Sequence, residues 1–258
     1  MVTILFHSTI FGPIHSRRLG ASLGINLSPN DGKVCTFDCI YCEAGYNSQG
    51  TGTTGLPKRE NVKIELENKL KQMRQDNESL DVITFSGNGE PTIHPEFANI
   101  INDTIKLRNK YFPNVKISVL SNSTRLDNES VIEALRLVDN NILKLDSAIT
   151  STMRLIDQPN TPSFTSEKVI EQIAQFAGQC VIQTMFLRGW HNGNRIDNTT
   201  ADEVKELIRA YKCISPRQVM IYSIDRKTPE QNLEKVNTEE LNQIADIIRN
   251  EGINVTVS

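Results

Sequence analysis

The chain has 258 residues, enough for one full-sized domain with a large hydrophobic core. Its 28 Lys and Arg residues against 31 Asp and Glu residues give a net charge of −3, which does not suggest general binding to nucleic acid or to a membrane. It contains no apolar run long enough to span a bilayer, and its first residues lack the basic region and cleavage site of a signal peptide. We therefore expect a cytoplasmic protein.

Short β-branched runs alternate with longer amphipathic runs along the whole chain. This pattern indicates a parallel sheet with helical crossovers, and six βα units are too few for a complete eight-fold barrel. We predict an α/β fold, a partial, open βα barrel of about six βα units with the parallel sheet inside and the helices outside. Residues 1–225 are expected to form the core with an N-terminal extension, and 226–258 a C-terminal helix and short strand packed on the same domain. The predicted strands are 23–27, 81–86, 116–122, 142–146, 180–187, 218–224 and 253–257, and the predicted helices are 62–75, 95–111, 128–138, 164–176, 200–211 and 238–250.

Three of the five cysteines, Cys35, Cys39 and Cys42, lie within eight residues with the spacing CxxxCxxC. Thiolates bind soft metals and iron–sulfur clusters. A structural zinc site normally takes four protein ligands as two separated pairs, whereas three ligands suit a four-iron cluster with one iron left open. Cys180 and Cys213 are predicted to be small buried apolar residues. Clustered cysteines without an even-numbered framework indicate a reducing compartment.

A second motif, Ser86-Gly87-Asn88-Gly89-Glu90-Pro91, ends the second predicted strand. The cysteine motif, with the aromatic Tyr41 just before its last cysteine, resembles the signature of the radical S-adenosylmethionine superfamily. The second motif resembles the GGEP loop of the same superfamily, about one βα unit downstream. The match is partial, because Asn88 stands where the family's first glycine would be.

The resemblance implies that Cys35, Cys39 and Cys42 bind a [4Fe–4S] cluster whose open iron chelates S-adenosylmethionine. It further implies reductive cleavage of that cofactor to a 5′-deoxyadenosyl radical, which takes a hydrogen atom from a substrate. A flavodoxin- or ferredoxin-like one-electron reductant is the implied partner. The implied cofactor-binding residues are Tyr41 near the adenine, Gly87, Gly89 and Glu90 at the ammonium, and Ser121, Asn122 and Asp146 at the ribose or carboxylate. The alternative interpretations are a core aromatic for Tyr41 and a tight βα turn for the glycine loop.

Polar residues recur at the carboxyl ends of the predicted strands. Lys144 and Asp146 share one face of the fourth strand, while Leu143 and Leu145 share the other. In βα barrels the active site lies at this end, so these residues indicate a site. The alternative interpretation is that Lys144 and Asp146 form a buried structural ion pair.

Two segments, 11–20 and 186–194, are interpreted as loops at the active end that contact substrate. The first carries the adjacent residues Arg17 and Arg18, and the second carries the only tryptophan. Their alternative interpretation is a solvated surface. The candidate substrate residues are Arg17, Arg18, Lys144, Arg188, Trp190 and His191.

From Phe11 to its end, the chain resembles a subgroup of iron–sulfur oxidoreductases related to the wyosine tRNA-modifying radical enzymes. Those enzymes hold a second cluster through an upstream cysteine triad, and no cysteine precedes Cys35 here, which speaks against wyosine chemistry. RNA, a peptide and a small molecule all stay open as substrates, and no membrane partner is expected. Two other classes stay open: a non-catalytic iron–sulfur electron carrier or sensor, and a zinc-stabilised binding module with a fourth ligand from His15, His94 or His191.

Overall fold

The computed structural model describes residues 4–16 and 19–258. Strands and helices alternate along the chain, as predicted. The strands are β1 Ile10–Ser16, β2 Gly20–Ile25, β3 Val82–Phe85, β4 Lys116–Ser121, β5 Asn140–Lys144, β6 Cys180–His191, β7 Asn194–Asp197, β8 Gln218–Ser223, β9 Leu233–Lys235 and β10 Val255–Val257. The helices are α1 Arg59–Gln75, α2 Phe97–Tyr111, α3 Glu129–Arg136, α4 Thr150–Asp157, α5 Ser166–Ala174, α6 Ala201–Ile214 and α7 Thr238–Asn250.

The sheet has the strand order β1-β2-β3-β4-β5-β6-β8-β10. β1 is antiparallel to β2, and every later pair in this order is parallel. Six parallel strands, β2 to β6 and β8, are each followed by a helix before the next strand of that order. Because β1 and β10 lie at opposite ends of the order, the sheet is open. The predicted partial βα barrel is therefore confirmed.

Alternation along the strands separates the helix-facing core from the barrel interior. Leu143 and Leu145 of the β5 segment lie in the main hydrophobic core. Ile142, on the opposite face, lines the interior cavity, and Lys144 contacts Tyr41 on the same side. Burying each large apolar side chain contributes about 1.5–3 kcal/mol, which favours the packing of Leu143 and Leu145 against the helices. The opposite faces of the strands direct both polar and apolar side chains into the barrel.

Four elements were not predicted from the sequence: β1, β7, β9 and α4. The segment 186–194, predicted as a loop, is instead the end of β6 and a hairpin turn into β7, with Arg188 opposite Asp197. Asn192 and Gly193 at this turn have φ values of +48° and +76°. An Asn-Gly pair between strands favours this kind of two-residue turn, so the signal was present in the sequence.

The C-terminal part continues the same sheet. β10 pairs in parallel with β8, from Val255 opposite Val219 to Val257 opposite Ile221, and α7 contacts both strands. A division of the chain at residue 225 stays a prediction. Over residues 4–16 and 19–258, no helix is both long and apolar enough to cross a membrane.

The fully buried Asn198 provides a test of how the active end of the sheet is held together. Its Nδ2 donates to the carbonyls of Asp146 (2.8 Å) and Met185 (2.7 Å), and its Oδ1 accepts from the Leu187 N–H (2.9 Å). We predict that Asn198→Ala lowers the free energy of unfolding by about 1–3 kcal/mol for each buried backbone group left without a partner. Urea unfolding of the iron-free protein measures this loss.

The matched control is Asn250→Ala, at the exposed end of α7. This change should alter the unfolding free energy by no more than about 0.5 kcal/mol. Equal losses in the two variants would contradict the role assigned to Asn198.

Candidate active site

The cysteine segment, residues 34–43, follows β2. It pairs with the glycine loop, residues 86–91, through backbone hydrogen bonds. Val34 and Gly89 form a parallel bridge. The Val34 N–H donates to the Asn88 carbonyl (3.2 Å), and the Glu90 N–H donates to the Val34 carbonyl (3.0 Å). The two motifs that are separate in the sequence are therefore directly joined next to Cys35.

The other side of the cysteine segment pairs with the end of α4 and the residues after it. Phe37 forms an antiparallel bridge with Pro159. The Asp38 N–H donates to the Asp157 carbonyl (3.1 Å), and the Ile40 N–H donates to the Ile156 carbonyl (3.0 Å). Residues 34–40 thus lie as a short extended segment between two neighbours, which fixes the backbone that carries Cys35 and Cys39.

Gly89 is required by the closeness of this backbone pairing. A Cβ atom at this position would lie 1.9 Å from the Val34 carbonyl oxygen and 2.7 Å from the Ser28 hydroxyl oxygen. No side chain can be accommodated at such distances without moving the backbone of the cysteine segment. The glycine in the loop therefore allows the cysteine segment and the loop to touch.

Cys35 and Cys39 pack against the hydrophobic core, and a ligand role for the three cysteines stays a prediction. Cys35, Cys39 and Cys42 are each partly exposed, and none is in a disulfide. Burial of the sulfur raises the pKa of Cys35 to about 12 and raises that of Cys39 well above its usual range. Iron binds the thiolate form, and its positive charge would offset this burial, so the donor set fits a cluster.

The remaining two cysteines have different environments. Cys180 is buried at the start of β6, as predicted, whereas Cys213 is exposed on α6. The prediction of a buried Cys213 is therefore wrong. Its neighbours Tyr211 and Ile214 fill the core side of that helix turn, which leaves Cys213 on the solvent side.

Lys33 lies beneath the cysteine segment and is only 2% exposed. Its ammonium donates to the Gly45 carbonyl (2.8 Å) and to the Asp38 carboxylate (3.1 Å). The same Asp38 oxygen accepts from the Asn47 N–H (2.7 Å). Burial disfavours the charged ammonium, but the three cysteines and Asp38 outweigh it and raise the pKa of Lys33. This buried cation joins the two ends of the loop that carries the cysteines.

Glu90 and Asn122 connect the glycine loop, the end of β4 and the first cysteine. One Glu90 oxygen accepts from the Asn122 N–H (2.7 Å), and the other accepts from the Thr92 N–H (3.1 Å) and hydroxyl (2.5 Å). The Asn122 amide donates to the Thr36 hydroxyl (2.8 Å) and approaches the Cys35 sulfur (3.5 Å). Burial raises the pKa of Glu90, although these hydrogen bonds oppose it.

Asn88, the residue that departs from the family pattern, has a clear structural role. Its fully buried side chain accepts from the Phe6 N–H (2.8 Å) and donates to the carbonyls of Phe6 (2.9 Å) and Pro29 (2.9 Å). The N-terminal segment is therefore attached to the glycine loop by Asn88. A glycine at this position would offer none of these bonds.

Lys144 is the centre of a buried ionic cluster with Tyr41, Asp146 and Asp157. Its ammonium contacts the carboxylates of Asp146 and Asp157, the latter at 2.7 Å, and lies 4.6 Å from the centre of the Tyr41 ring. The Tyr41 hydroxyl donates to Asp146, whose other oxygen accepts from the Met185 N–H (2.9 Å). Burial raises the pKa of Asp157 to about 7 although Lys144 opposes this shift.

This cluster is the buried ion pair that was the alternative interpretation of Lys144 and Asp146. Asp146 is 0% exposed, and both of its oxygens are taken by protein groups. Burial opposes the charge of Lys144, but the two carboxylates outweigh it and raise its pKa. A role for Asp146 at the ribose and for Tyr41 at the adenine stays a prediction.

Two further predicted cofactor residues lie at the same end of the sheet. The Ser121 hydroxyl accepts from the Ser123 N–H (3.2 Å) at the end of β4. Gly87 lies over Asn26, whose Oδ1 accepts from the Asn88 N–H (3.0 Å). The structure thus brings the glycine loop and the end of β4 to the cysteine segment.

The candidate substrate residues are more scattered. Arg188 is paired with Glu240 and contacts Asp197 at 3.7 Å, so its charge joins β6 to α7 and β7. His191 Nδ1 is paired with Glu230 (2.7 Å). Trp190 is 52% exposed. Arg17 and Arg18 lie outside the described residues, and a substrate role for these five residues and for Lys144 stays a prediction.

The three histidines proposed as a fourth zinc ligand do not join the cysteines. His94 Nε2 contacts the Pro57 carbonyl (2.8 Å), and its Nδ1 accepts from the Glu96 N–H (3.1 Å). His191 pairs with Glu230, and His15 lines the interior cavity. In the described part of the chain, no three or more His, Cys, Asp or Glu side chains are grouped to hold a single metal ion. This arrangement does not support the zinc module.

Sequence reasoning missed Lys33, Asn88 as an anchor, and Asp157. Lys33 lies two residues before Cys35, and its proximity to the motif was the available signal. Asp157 gave no such signal, because it reaches the site only through α4, which was not predicted.

We predict that Lys33→Met destabilises the protein and weakens iron retention. Removing one member of a fully buried ion pair costs about 3 kcal/mol, and because the Asp38 side chain is 26% exposed we expect a smaller loss here. Urea unfolding of the iron-free protein and iron content after anaerobic reconstitution measure the two effects. The control is Lys235→Met, whose exposed pair with Asp225 (3.4 Å) should be worth less than about 1 kcal/mol. A Lys33 variant as stable and as well loaded as this control would contradict the prediction.

Comparison with known sequences gives both a family and relatives. The sequence model of the Radical SAM superfamily matches residues 30–176 of this chain. A Brachyspira hyodysenteriae protein named GTPase Obg is 28% identical over 236 residues, which cover 90% of this chain and 32% of that protein. UPF0026 proteins of Helicobacter pylori strain J99 and of Synechocystis are each 30% identical, covering 84% and 86% of this chain. The chain spans 66% and 77% of the lengths of these two relatives.

Solved structures share the fold at low sequence identity. A radical SAM methyltransferase from Sphaerobacter thermophilus has a TM-score of 0.66 at 15% identity, covering 92% of this chain and 65% of that one. Streptococcus suis SuiB bound to S-adenosylmethionine has a TM-score of 0.63 at 14% identity, over 91% and 50% of the two chains. TYW1 with a lysine-pyruvate adduct has a TM-score of 0.59 at 15% identity, over 90% and 74%. The match over residues 30–176 shows that this chain belongs to the radical S-adenosylmethionine superfamily, whose members use a [4Fe–4S] cluster and S-adenosylmethionine.

Proposed function

We propose that this chain is a radical S-adenosylmethionine enzyme whose cluster is held by Cys35, Cys39 and Cys42. The observation that carries this proposal is the backbone bridge between Val34 and Gly89, which joins the cysteine segment to the glycine loop. When bound, the cluster would supply one electron to split S-adenosylmethionine into methionine and a 5′-deoxyadenosyl radical that takes hydrogen from a substrate.

The residues around the cysteines would hold and orient the cofactor. The absence of side chains at Gly87 and Gly89 lets the loop pack against Asn26 and Val34 beside the cysteines, and Glu90 would accept from the cofactor's ammonium. A carboxylate has about four acceptor positions, and the Asn122 N–H, the two groups of Thr92 and the Ser121 hydroxyl already donate to Glu90, so the cofactor's ammonium would replace one of these donors. Ser121 and Asn122 lie beside Glu90 at the end of β4, where they would contact the ribose or the carboxylate.

The ion pairs of the cluster would hold the charged groups of Lys144, Asp146 and Asp157 in place during the reaction. Lys144, held between Asp146 and Asp157, balances two buried carboxylates next to the cysteine segment. Tyr41 is oriented by its bond to Asp146, and its ring would border the adenosine part of the cofactor. Tight packing at this position would also exclude water from the reactive centre.

The electron would come from a flavodoxin- or ferredoxin-like protein in the cytoplasm. Cys35, Cys39 and Cys42 are partly exposed, which is compatible with approach of such a donor to within electron-transfer range. The relatives differ from this chain at most positions, so their substrates do not identify the substrate of this chain.

We predict that the reconstituted, dithionite-reduced protein converts S-adenosylmethionine to 5′-deoxyadenosine and methionine, slowly in the absence of substrate. Chromatography of an anaerobic reaction measures the products. Cys39→Ala should lose both the iron and the activity, because it removes one of only three thiolate ligands. Cys180→Ala and Cys213→Ala should keep both, since neither lies in the cysteine segment.

The proposal fails if a fully loaded protein forms no 5′-deoxyadenosine with any reductant. In that case an iron–sulfur electron carrier or sensor would be the better reading. It also fails if Cys213→Ala loses the iron while Cys39→Ala keeps it.

A further inference from the structure

The interior of the open barrel contains a cavity of about 330 Å³ beside both motif loops. It borders the glycine loop at Ser86, one position before Gly87, and the cysteine segment at Glu43, one position after Cys42. The three cysteines, Glu90, Ser121, Asn122 and Asp146 are not among its lining residues. The cavity is therefore next to the proposed cofactor site and separate from it.

Gln183 of β6 is a buried polar side chain without a partner in this cavity. It is only 9% exposed and lines the wall, between Lys144 and Met220 in sheet register. Its carboxamide makes no hydrogen bond to any residue of 4–16 or 19–258. Because Gln183 lines the cavity, this carboxamide is available to a ligand. It offers one acceptor and two donors in one plane.

The rest of the wall carries little net charge. Leu120, Ile142 and Met220 are apolar, and the hydroxyls of Ser22 and Thr84 are 2.8 Å apart and satisfy each other. The charged lining residues Arg226 and Glu43 are paired at 2.7 Å. His15 is the other titratable group among the described residues of the wall.

The N-terminal segment closes one side of the cavity. Phe6 stacks on Phe11 with ring centres 3.8 Å apart. The Phe11 ring packs so closely on Gly24 that a Cβ atom at Gly24 would lie only 2.1 Å from the ring. The Ile4 N–H donates to the Glu43 carbonyl (2.8 Å), and Asn88 holds Phe6. This N-terminal segment limits the ligand to a size that fits a cavity of about 330 Å³.

We propose that this cavity binds the substrate of the radical reaction, and that the substrate is a small molecule with an amide edge. An amide edge presents a carbonyl next to an N–H, and it matches the donor and acceptor of Gln183. A nucleobase lactam and the side-chain carboxamide of a free amino acid share this chemistry. The inference rests on the proposed function, because only that reaction needs a substrate beside the cofactor loop.

Equilibrium dialysis of the reconstituted, S-adenosylmethionine-loaded protein with labelled uracil and labelled L-glutamine tests the proposal. We expect saturable binding of one of them, and the arm that binds identifies the source of the amide edge. Gln183→Leu should weaken that binding at least 10-fold, since two hydrogen bonds are lost. The control Gln72→Leu, on the exposed face of α1, should bind as the wild type does.

Gln183→Leu should also keep normal iron content and normal S-adenosylmethionine binding. Its unfolding midpoint should match or exceed that of the wild type, because an unpartnered buried amide is replaced by an apolar group of similar size. The inference is overturned if the wild type binds neither probe, or if Gln183→Leu binds as tightly. It is also overturned if Gln183→Leu loses S-adenosylmethionine, which would make the cavity the cofactor's own site. Failure of the proposed function is recognised separately, by the absence of 5′-deoxyadenosine from the wild type.

Discussion

The pairing of residues 34–40 with a neighbour on each side is the constraint on which the rest of the site depends. Ordering each residue of a loop costs about 1–2 kcal/mol in backbone entropy, and a cysteine loop has no strand of its own to offset it. Here the backbone of Val34 pairs with Gly89, and that of Asp38 pairs with Asp157. The cysteines are thus placed by hydrogen bonds whose partners come from two distant parts of the chain.

Two buried lysines provide the electrostatic counterpart of this pairing. Lys33 acts at the ends of the cysteine loop through Gly45 and Asp38, and Lys144 acts from β5 through Asp146 and Asp157. Each ammonium is compensated by carboxylates, and Lys144 also favours the thiolate of Cys39. A set of thiolates and carboxylates without these cations would be strongly unfavourable in a buried site.

The sequence predicted the parts of this molecule that are encoded locally. The alternation of apolar runs was sufficient for the open sheet, and the spacing of three cysteines together with the glycine loop was sufficient for the family. It could not show α4, nor that Asp157 reaches Lys144, because that contact depends on packing between elements. The buried state predicted for Cys213 failed for a related reason, since a helical residue's exposure depends on which face meets the core.

Asn88 illustrates how a departure from a family pattern can carry structural meaning. The sequence alone marked it as a mismatch in the glycine loop. In the fold, its carboxamide makes three hydrogen bonds that a glycine could not make, two of them to Phe6. The N-terminal segment is thereby attached beside the cofactor loop, where Phe6 lines the cavity in the barrel interior.

The most direct test of this account is the electron paramagnetic resonance spectrum of the reduced, reconstituted protein, recorded with and without S-adenosylmethionine. An iron left open by three cysteines, next to the glycine loop, must sense a cofactor that binds it. We therefore predict that S-adenosylmethionine changes the g values of the [4Fe–4S]⁺ signal. A spectrum that saturating S-adenosylmethionine leaves unchanged would contradict the joined cluster and cofactor site.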